Sequence, residues 1–107
     1  MKLQIKATGF ELTPTLQRLI EKKFSGLEKF LAKWEANREL LLRVEIAKNT
    51  KHHNKGMVWY AEANLDLPQK VLRIEETNEE MQAAIEKLKD RLKNELLRFK
   101  NRVANRH

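Results

Sequence analysis

Apolar residues recur along this chain with two different periods, and the order of those periods constrains the fold more than any other feature. Alternation with period two predicts four strands buried on one face, at residues 2–8, 40–46, 57–67 and 70–76. Spacing of three and four predicts two amphipathic helices, at residues 14–34 and 79–103. The predicted element order is therefore β-α-β-β-β-α.

Capping and turn residues support this division. Thr13 followed by Pro14 is typical of the start of a helix, because the threonine side chain caps the end and proline loses no needed hydrogen bond. Thr77 or Asn78 is expected to cap the second helix, with Glu79 and Glu80 in its first turn, where carboxylates favour the helix dipole. Residues 48–56 and the Pro68-Gln69 pair predict the connections between the last three strands.

The predicted fold is an α+β domain with a four-stranded sheet and both helices packed on one face. Strands joined by short turns are expected to be antiparallel, whereas the helical crossover makes the first two strands candidates for a parallel pair. The order resembles the double-stranded-RNA-binding fold with one extra strand. The chain has 107 residues, which suffice for a single domain.

Composition excludes several classes of protein. The chain has no cysteine, which removes disulfides, thiol nucleophiles and thiolate metal sites. Its longest apolar run is Leu40–Leu42, and its N-terminus alternates where a signal peptide would be continuously apolar. We therefore expect a cytoplasmic protein without a membrane partner.

Positive charge is concentrated and sorted by helix face. The formal net charge is +7, and residues 87–107 carry most of it. On a helical wheel the cations form one row on the first helix, opposite Glu21, Glu28 and Glu35, and two rows flanking the apolar stripe of the second, with Glu86 and Asp90 on its solvent-facing back. The rows are Arg18, Lys22, Lys29 and Lys33; Lys87, Arg91, Arg98 and Arg102; and Lys89, Lys93 and Lys100.

This sorting indicates a polyanionic partner. A helix that only needs to be soluble can mix charges of both signs, whereas a row of uncompensated cations can bind a phosphate backbone. Two alternatives are an acidic protein surface as the partner and a general double-stranded-RNA-binding function. Membrane binding is disfavoured, since both apolar stripes are needed to cover the sheet.

Other candidate sites lack the chemistry that they would need. The histidines at 52, 53 and 107 do not have metal-ligand spacing, so no metal or other cofactor is predicted. Four carboxylates lie on the predicted strands: Glu62, Asp66, Glu75 and Glu76. They have no nucleophile or glycine-rich loop beside them, so we predict neither an enzyme nor a small-molecule substrate. Tyr60 is expected on the uncovered sheet face and Trp59 in the core.

Several segments resemble the bacterial ribosome hibernation-promoting factors, also called ribosome-associated translation inhibitors. Leu12-Thr-Pro-Thr-Leu16 and the segment from Glu21 to Phe30 are similar to the family's first-helix signature. Leu67-Pro-Gln-Lys-Val-Leu72 is similar to its "lpgkvL" turn. Residues 81–88 and 91–100 are similar to its last helix, so the resemblance covers nearly the whole chain.

The resemblance implies a protein that binds the small ribosomal subunit where mRNA and tRNA meet and blocks translation by occlusion. We expect it to be a monomer when it is off the ribosome, and we expect residues 1–107 to form one ribosome-binding domain without a C-terminal dimerisation domain. The resemblance implies RNA contacts at five positions: Lys23, Lys29, Arg91, Arg98 and Lys100. The chain departs from the family pattern at four others: Gly26, Gln82, Glu95 and Leu97.

Overall fold

A computed structural model describes residues 1–50 and 57–104. Its elements are β1 (Lys2–Thr8), α1 (Pro14–Ser25), α2 (Glu28–Glu35), β2 (Leu41–Thr50), β3 (Met57–Leu67), β4 (Lys70–Asn78) and α3 (Met81–Ala104). The predicted α+β class and the order of strands and helices are confirmed, except that the first predicted helix is divided in two.

The four strands form one sheet in the order β1-β2-β3-β4. β1 and β2 are parallel, with Ile5 opposite Val44, and the helical segment between them makes the crossover that parallel strands require. The β2–β3 and β3–β4 pairs are antiparallel, and Ala63 lies opposite Val44 on one side and Ile74 on the other. Both predicted pairing types are therefore confirmed.

The helices cover one face of the sheet, as predicted. Buried side chains from alternate strand positions, such as Leu42 and Leu65, form a single cluster with Phe24, Leu31 and Leu92 of the helices. Trp59 packs against this cluster, whereas Tyr60 points to the uncovered face. The alternation in the sequence thus decides which sheet face receives the helices.

The predicted continuous helix over residues 14–34 is wrong, because it breaks between Ser25 and Glu28. Gly26 keeps a right-handed helical backbone (φ −62°, ψ −15°), but Leu27 donates to the carbonyl of Phe24 at 3.0 Å, a three-residue spacing that tightens the turn. Glycine is a weak helix former, and Leu27 is buried in the core. The break therefore costs little local helix energy.

The start of the last helix also differs from the prediction. β4 extends to Asn78 and α3 begins at Met81, so Glu79 and Glu80 precede the helix instead of forming its first turn. The Asn78 side chain accepts a hydrogen bond from the backbone N–H of Glu80 at 2.9 Å and leads the chain into α3. The expected cap of α1 is confirmed, since the Thr13 hydroxyl accepts from the Leu16 N–H at 3.2 Å.

Candidate nucleic-acid interface

A groove runs between the paired helices α1–α2 and the long helix α3. Near its start Lys23 of α1 contacts Glu86 of α3, and near its end Trp34 of α2 lies 5.8 Å from Phe99, measured between ring centroids. Both helical segments therefore run in the same direction. We call the space between these contacts the inter-helix groove.

The two predicted basic rows of α3 lie on opposite flanks of that helix. Lys89, Lys93 and Lys100 face the inter-helix groove, where they contact residues of α3 and α2. The other row faces β4: Arg91 donates to the Glu75 carbonyl at 2.8 Å and pairs with the Glu76 carboxylate. We call this second set the outer row; it comprises Lys87, Arg91, Arg98 and Arg102.

Three lysines surround one aromatic ring in the second half of the groove. The ammonium groups of Lys29, Lys93 and Lys100 lie 5.2, 5.6 and 6.0 Å from the ring centroid of Phe30. Lys100 also donates to the Phe30 carbonyl at 3.0 Å. In residues 1–50 and 57–104, none of the three lysines pairs with a carboxylate. We call these four residues the lysine–aromatic cluster.

Aromatic packing holds the lysine–aromatic cluster in place. Trp34 and Phe99 join α2 to α3, and the ammonium group of Lys100 lies 5.9 Å from the Trp34 ring centroid. The aliphatic parts of long lysine side chains can lie along such rings while their charged ends stay in water. The groove therefore presents closely spaced positive charges on a packed support.

The first half of the groove has a carboxylate between its cations. Glu86 accepts from Lys23 at 2.7 Å and from Lys89 at 2.6 Å. Hydrogen bonds from Lys23 and Lys89 lower the pKa of the Glu86 carboxyl to about 2, and the hydrogen bond to Glu86 raises the pKa of Lys89. We call these three residues the carboxylate bridge.

The predicted position of Glu86 on the solvent-facing back of the helix is therefore wrong. The wheel predicts a solvent-facing side chain, but α1 packs along that flank of the helix and supplies Lys23 as a partner. Lys23, matched by the family resemblance, thus lies inside the groove with a carboxylate attached.

The remaining cations of the first predicted row, Arg18, Lys22 and Lys33, are exposed. The acidic flank lies on the other side, where Glu35 accepts from the Met1 ammonium at 2.6 Å and from the Leu40 N–H at 3.0 Å. Burial favours a higher pKa for Glu35, but these hydrogen bonds outweigh it and lower the pKa. The sign sorting of this helix is therefore preserved in the fold.

The four carboxylates set aside in the sequence are all engaged. Glu62 accepts from Tyr60, Asn64 and Arg73 on the uncovered sheet face. Burial and the contact with Glu62 raise the pKa of Tyr60 to about 12, while the Tyr60 hydroxyl lowers the pKa of Glu62. The other three are paired as well: Asp66 with Arg43, Glu75 with Arg73 and Glu76 with Arg91.

His52, His53 and His107 lie outside the described residues. Within residues 1–50 and 57–104, no helix is long and apolar enough to cross a membrane.

Sequence reasoning missed two residues of the groove. The helical spacing of Phe30 predicts only a core contact, and the residue is indeed half-buried, but three lysine ammonium groups also lie around its ring. The i, i+3 spacing of Glu86 and Lys89 is visible in the sequence, whereas the contact with Lys23 requires the packing of two helices. The contacts across the groove, between α1–α2 and α3, thus depend on the tertiary structure.

Comparison with known proteins identifies the family. Residues 3–104 match the profile of the family described as Sigma 54 modulation protein / S30EA ribosomal protein. The chain belongs to this family. The Ribosome hibernation promotion factor of Deinococcus radiodurans is 29% identical over 99 residues, which cover 92% of this chain and 49% of that protein. The chain therefore spans about half the length of this curated relative, and the resemblance to hibernation-promoting factors is confirmed.

Solved structures of similar fold agree with the family assignment. The N-terminal domain of Thermus thermophilus Protein Y is 26% identical, with a TM-score of 0.73 over 92% of this chain and 99% of that domain. A ribosomal subunit interface protein from Coxiella burnetii shares the fold at 20% identity, with a TM-score of 0.73 over 94% of this chain and 99% of that one. The chain therefore has the same fold as these two proteins.

Proposed function

We propose that this protein is a ribosome hibernation factor that binds ribosomal RNA of the small subunit through the inter-helix groove. Bound there, it blocks translation by excluding mRNA and tRNA, and it catalyses no reaction. The observation that carries the proposal is the lysine–aromatic cluster, in which three cations share one ring and have no carboxylate partner among the described residues.

The electrostatics of the cluster favour a phosphate ligand. The three ammonium groups lie within 6.0 Å of one ring centroid and repel one another, and an anion bound among them offsets this repulsion. Phosphates of a folded RNA present such anions at regular intervals, and each contact releases condensed counterions. With six to eight phosphate contacts, a plot of the logarithm of the binding constant against the logarithm of the salt concentration would have a slope of about −4 to −7.

The family supports the ribosome as the source of that RNA. The Deinococcus relative is named a hibernation promotion factor, and family membership covers the segments that form both walls of the groove. The exposed cations at 18, 22 and 33 and the outer row extend the basic surface and would steer the protein toward RNA. We propose that the described domain binds as one unit and is monomeric when free.

Co-sedimentation with purified small subunits tests this proposal. We compare the wild type with a groove variant, K29E/K93E/K100E, and with an outer-row variant, K87E/R98E/R102E, which has the same net charge. We expect the groove variant to bind at least about a hundredfold more weakly than the wild type, and the outer-row variant to lose about tenfold, through steering. Inhibition of cell-free translation should be strongest with the wild type, weaker with the outer-row variant and weakest with the groove variant.

Each other result has a definite meaning. If the groove variant binds subunits as well as the wild type does, the groove is not the docking surface. If naked duplex RNA competes as strongly as intact subunits, the protein is a general double-stranded-RNA binder. If subunits stripped of protein no longer bind while RNA-free acidic proteins do, the alternative of an acidic protein partner holds.

A further inference from the structure

The two halves of the inter-helix groove differ in charge although each has cations from both helical segments. The lysine–aromatic cluster contains three lysines without a carboxylate, whereas the carboxylate bridge contains two lysines and Glu86. Lys23 and Lys89 are only about a quarter exposed, at 29% and 26% of their side-chain surface, and Glu86 is 41% exposed. The carboxylate therefore lies at the mouth of this half, within reach of an incoming phosphate.

We infer that Glu86 is an internal competitor of RNA phosphate, which holds Lys23 and Lys89 in the free protein and limits the affinity of the groove for polyanions. This inference rests on the proposed function for its natural ligand. A phosphate that approaches the bridge must displace the carboxylate from at least one lysine or tolerate its repulsion. The bridge then contributes about one net positive charge in place of two.

Limiting affinity in this way would improve discrimination between RNAs. Repulsion by the carboxylate disfavours any phosphate backbone that approaches the bridge, whereas a backbone shaped to reach both lysines makes contacts that offset this penalty. Glu86 should therefore weaken binding to arbitrary polyanions more than binding to the ribosomal site. It acts through its two lysines and is a positioning residue.

The test measures elution of the variants from a heparin column and binding to small subunits over a range of salt concentrations. Glu86→Gln is compared with Glu21→Gln, which adds the same charge on the opposite flank of α1, and with Glu86→Asp, which keeps the carboxylate. We expect E86Q to elute at higher salt than E21Q, to bind duplex RNA about threefold more tightly at low salt, and to steepen the salt slope by about one. E86D should behave like the wild type.

The mechanism requires Lys23 and Lys89, so the gain from E86Q should vanish in a K23Q/K89Q background. Thermal unfolding of each variant checks that the fold is intact. Equal heparin elution of E86Q and E21Q, or a gain that survives without the two lysines, would overturn the inference. If E86Q elutes later from heparin but the wild type does not bind subunits, the proposed function fails and the role of Glu86 stands.

Discussion

The two halves of the inter-helix groove use lysines in opposite ways. In the carboxylate bridge the cations are neutralised in part by Glu86, and in the lysine–aromatic cluster they lie against rings with no carboxylate in the described part of the chain. The first arrangement joins helices, and the second leaves charge available to a ligand. Counting cations on a helix wheel does not distinguish them, because the distinction depends on what the neighbouring helix supplies.

The largest expected effect is on polyanion binding when each half is neutralised separately. K29A/K93A/K100A should weaken binding to small subunits about 30-fold or more and reduce the magnitude of the salt slope by about two to three. K23A/K89A should weaken it about threefold and change the slope by about one, because Glu86 already offsets one of its charges. Filter binding at several salt concentrations measures both, and equal losses per lysine would remove the distinction between the halves.

Replacing the ring at the centre of the cluster should mainly affect stability. Phe30→Ala removes a half-buried ring and the support of three lysine side chains, so we expect the free energy of unfolding to fall by about 2 kcal/mol. Phe30→Leu keeps most of the apolar volume and should cost about 1 kcal/mol. Urea denaturation measures the free energy of unfolding of both variants. A Phe30→Ala variant as stable as the wild type would show that the ring does not stabilise the packing of α2 against α3.

The break between α1 and α2 separates Lys23 of one half from Lys29 of the other. A Cβ at Gly26 would have its nearest neighbour, the Lys23 carbonyl oxygen, at 3.9 Å, and the backbone there is helical. Gly26→Ala should therefore raise the free energy of unfolding by about 0.5–1 kcal/mol through reduced entropy of the unfolded chain. Gly9→Ala is the control, because Gly9 has φ +83° and its Cβ would lie 3.0 Å from the Lys48 carbonyl oxygen. That change should destabilise the protein.

Within the inter-helix groove, acid should affect only the carboxylate bridge, because the lysine–aromatic cluster contains no carboxylate. Of the changes considered, acidification should have the smallest effect on the free energy of unfolding, since Glu86 is well exposed. Hydrogen bonds from Lys23 and Lys89 place the pKa of Glu86 at about 2, below the ordinary value of 4.5. A lowered pKa means that the stabilisation is complete above pH 4.5 and is lost as the pH falls toward 2. Carboxyl-carbon NMR of Glu86 should show this midpoint, and K23M should raise it. A midpoint near 4.5 in the wild type would mean that the bridge does not form in solution.

Much of the fold was predictable because its signals are local. Period two and period 3.6 identified every strand and the extent of the last helix to within a few residues, and Thr13 marked the start of α1. The ends of β2 and β4 were placed too early, because pairing between strands, as at Lys48 with Trp59 and Trp59 with Asn78, extends them beyond the alternating residues.

The candidate site was predictable only in part. The wheel selected Lys29, Lys93 and Lys100 by their charge and phase, and these three do meet in the groove. It gave no reason to separate them from the outer row, whose Arg91 is bound to β4. A wheel describes one helix and contains no information about which flank its neighbours cover.

The α+β order, the covered face of the sheet and the sorting of charge on each helix are encoded locally, because periodicity and phase are properties of short segments. The bridge from Lys23 through Glu86 to Lys89 and the three lysines around Phe30 arise only when the helices pack together. The contacts of Glu86 with Lys23 and of Phe30 with Lys93 and Lys100 connect residues more than 60 positions apart, and their energies depend on distances set by helix packing on the sheet.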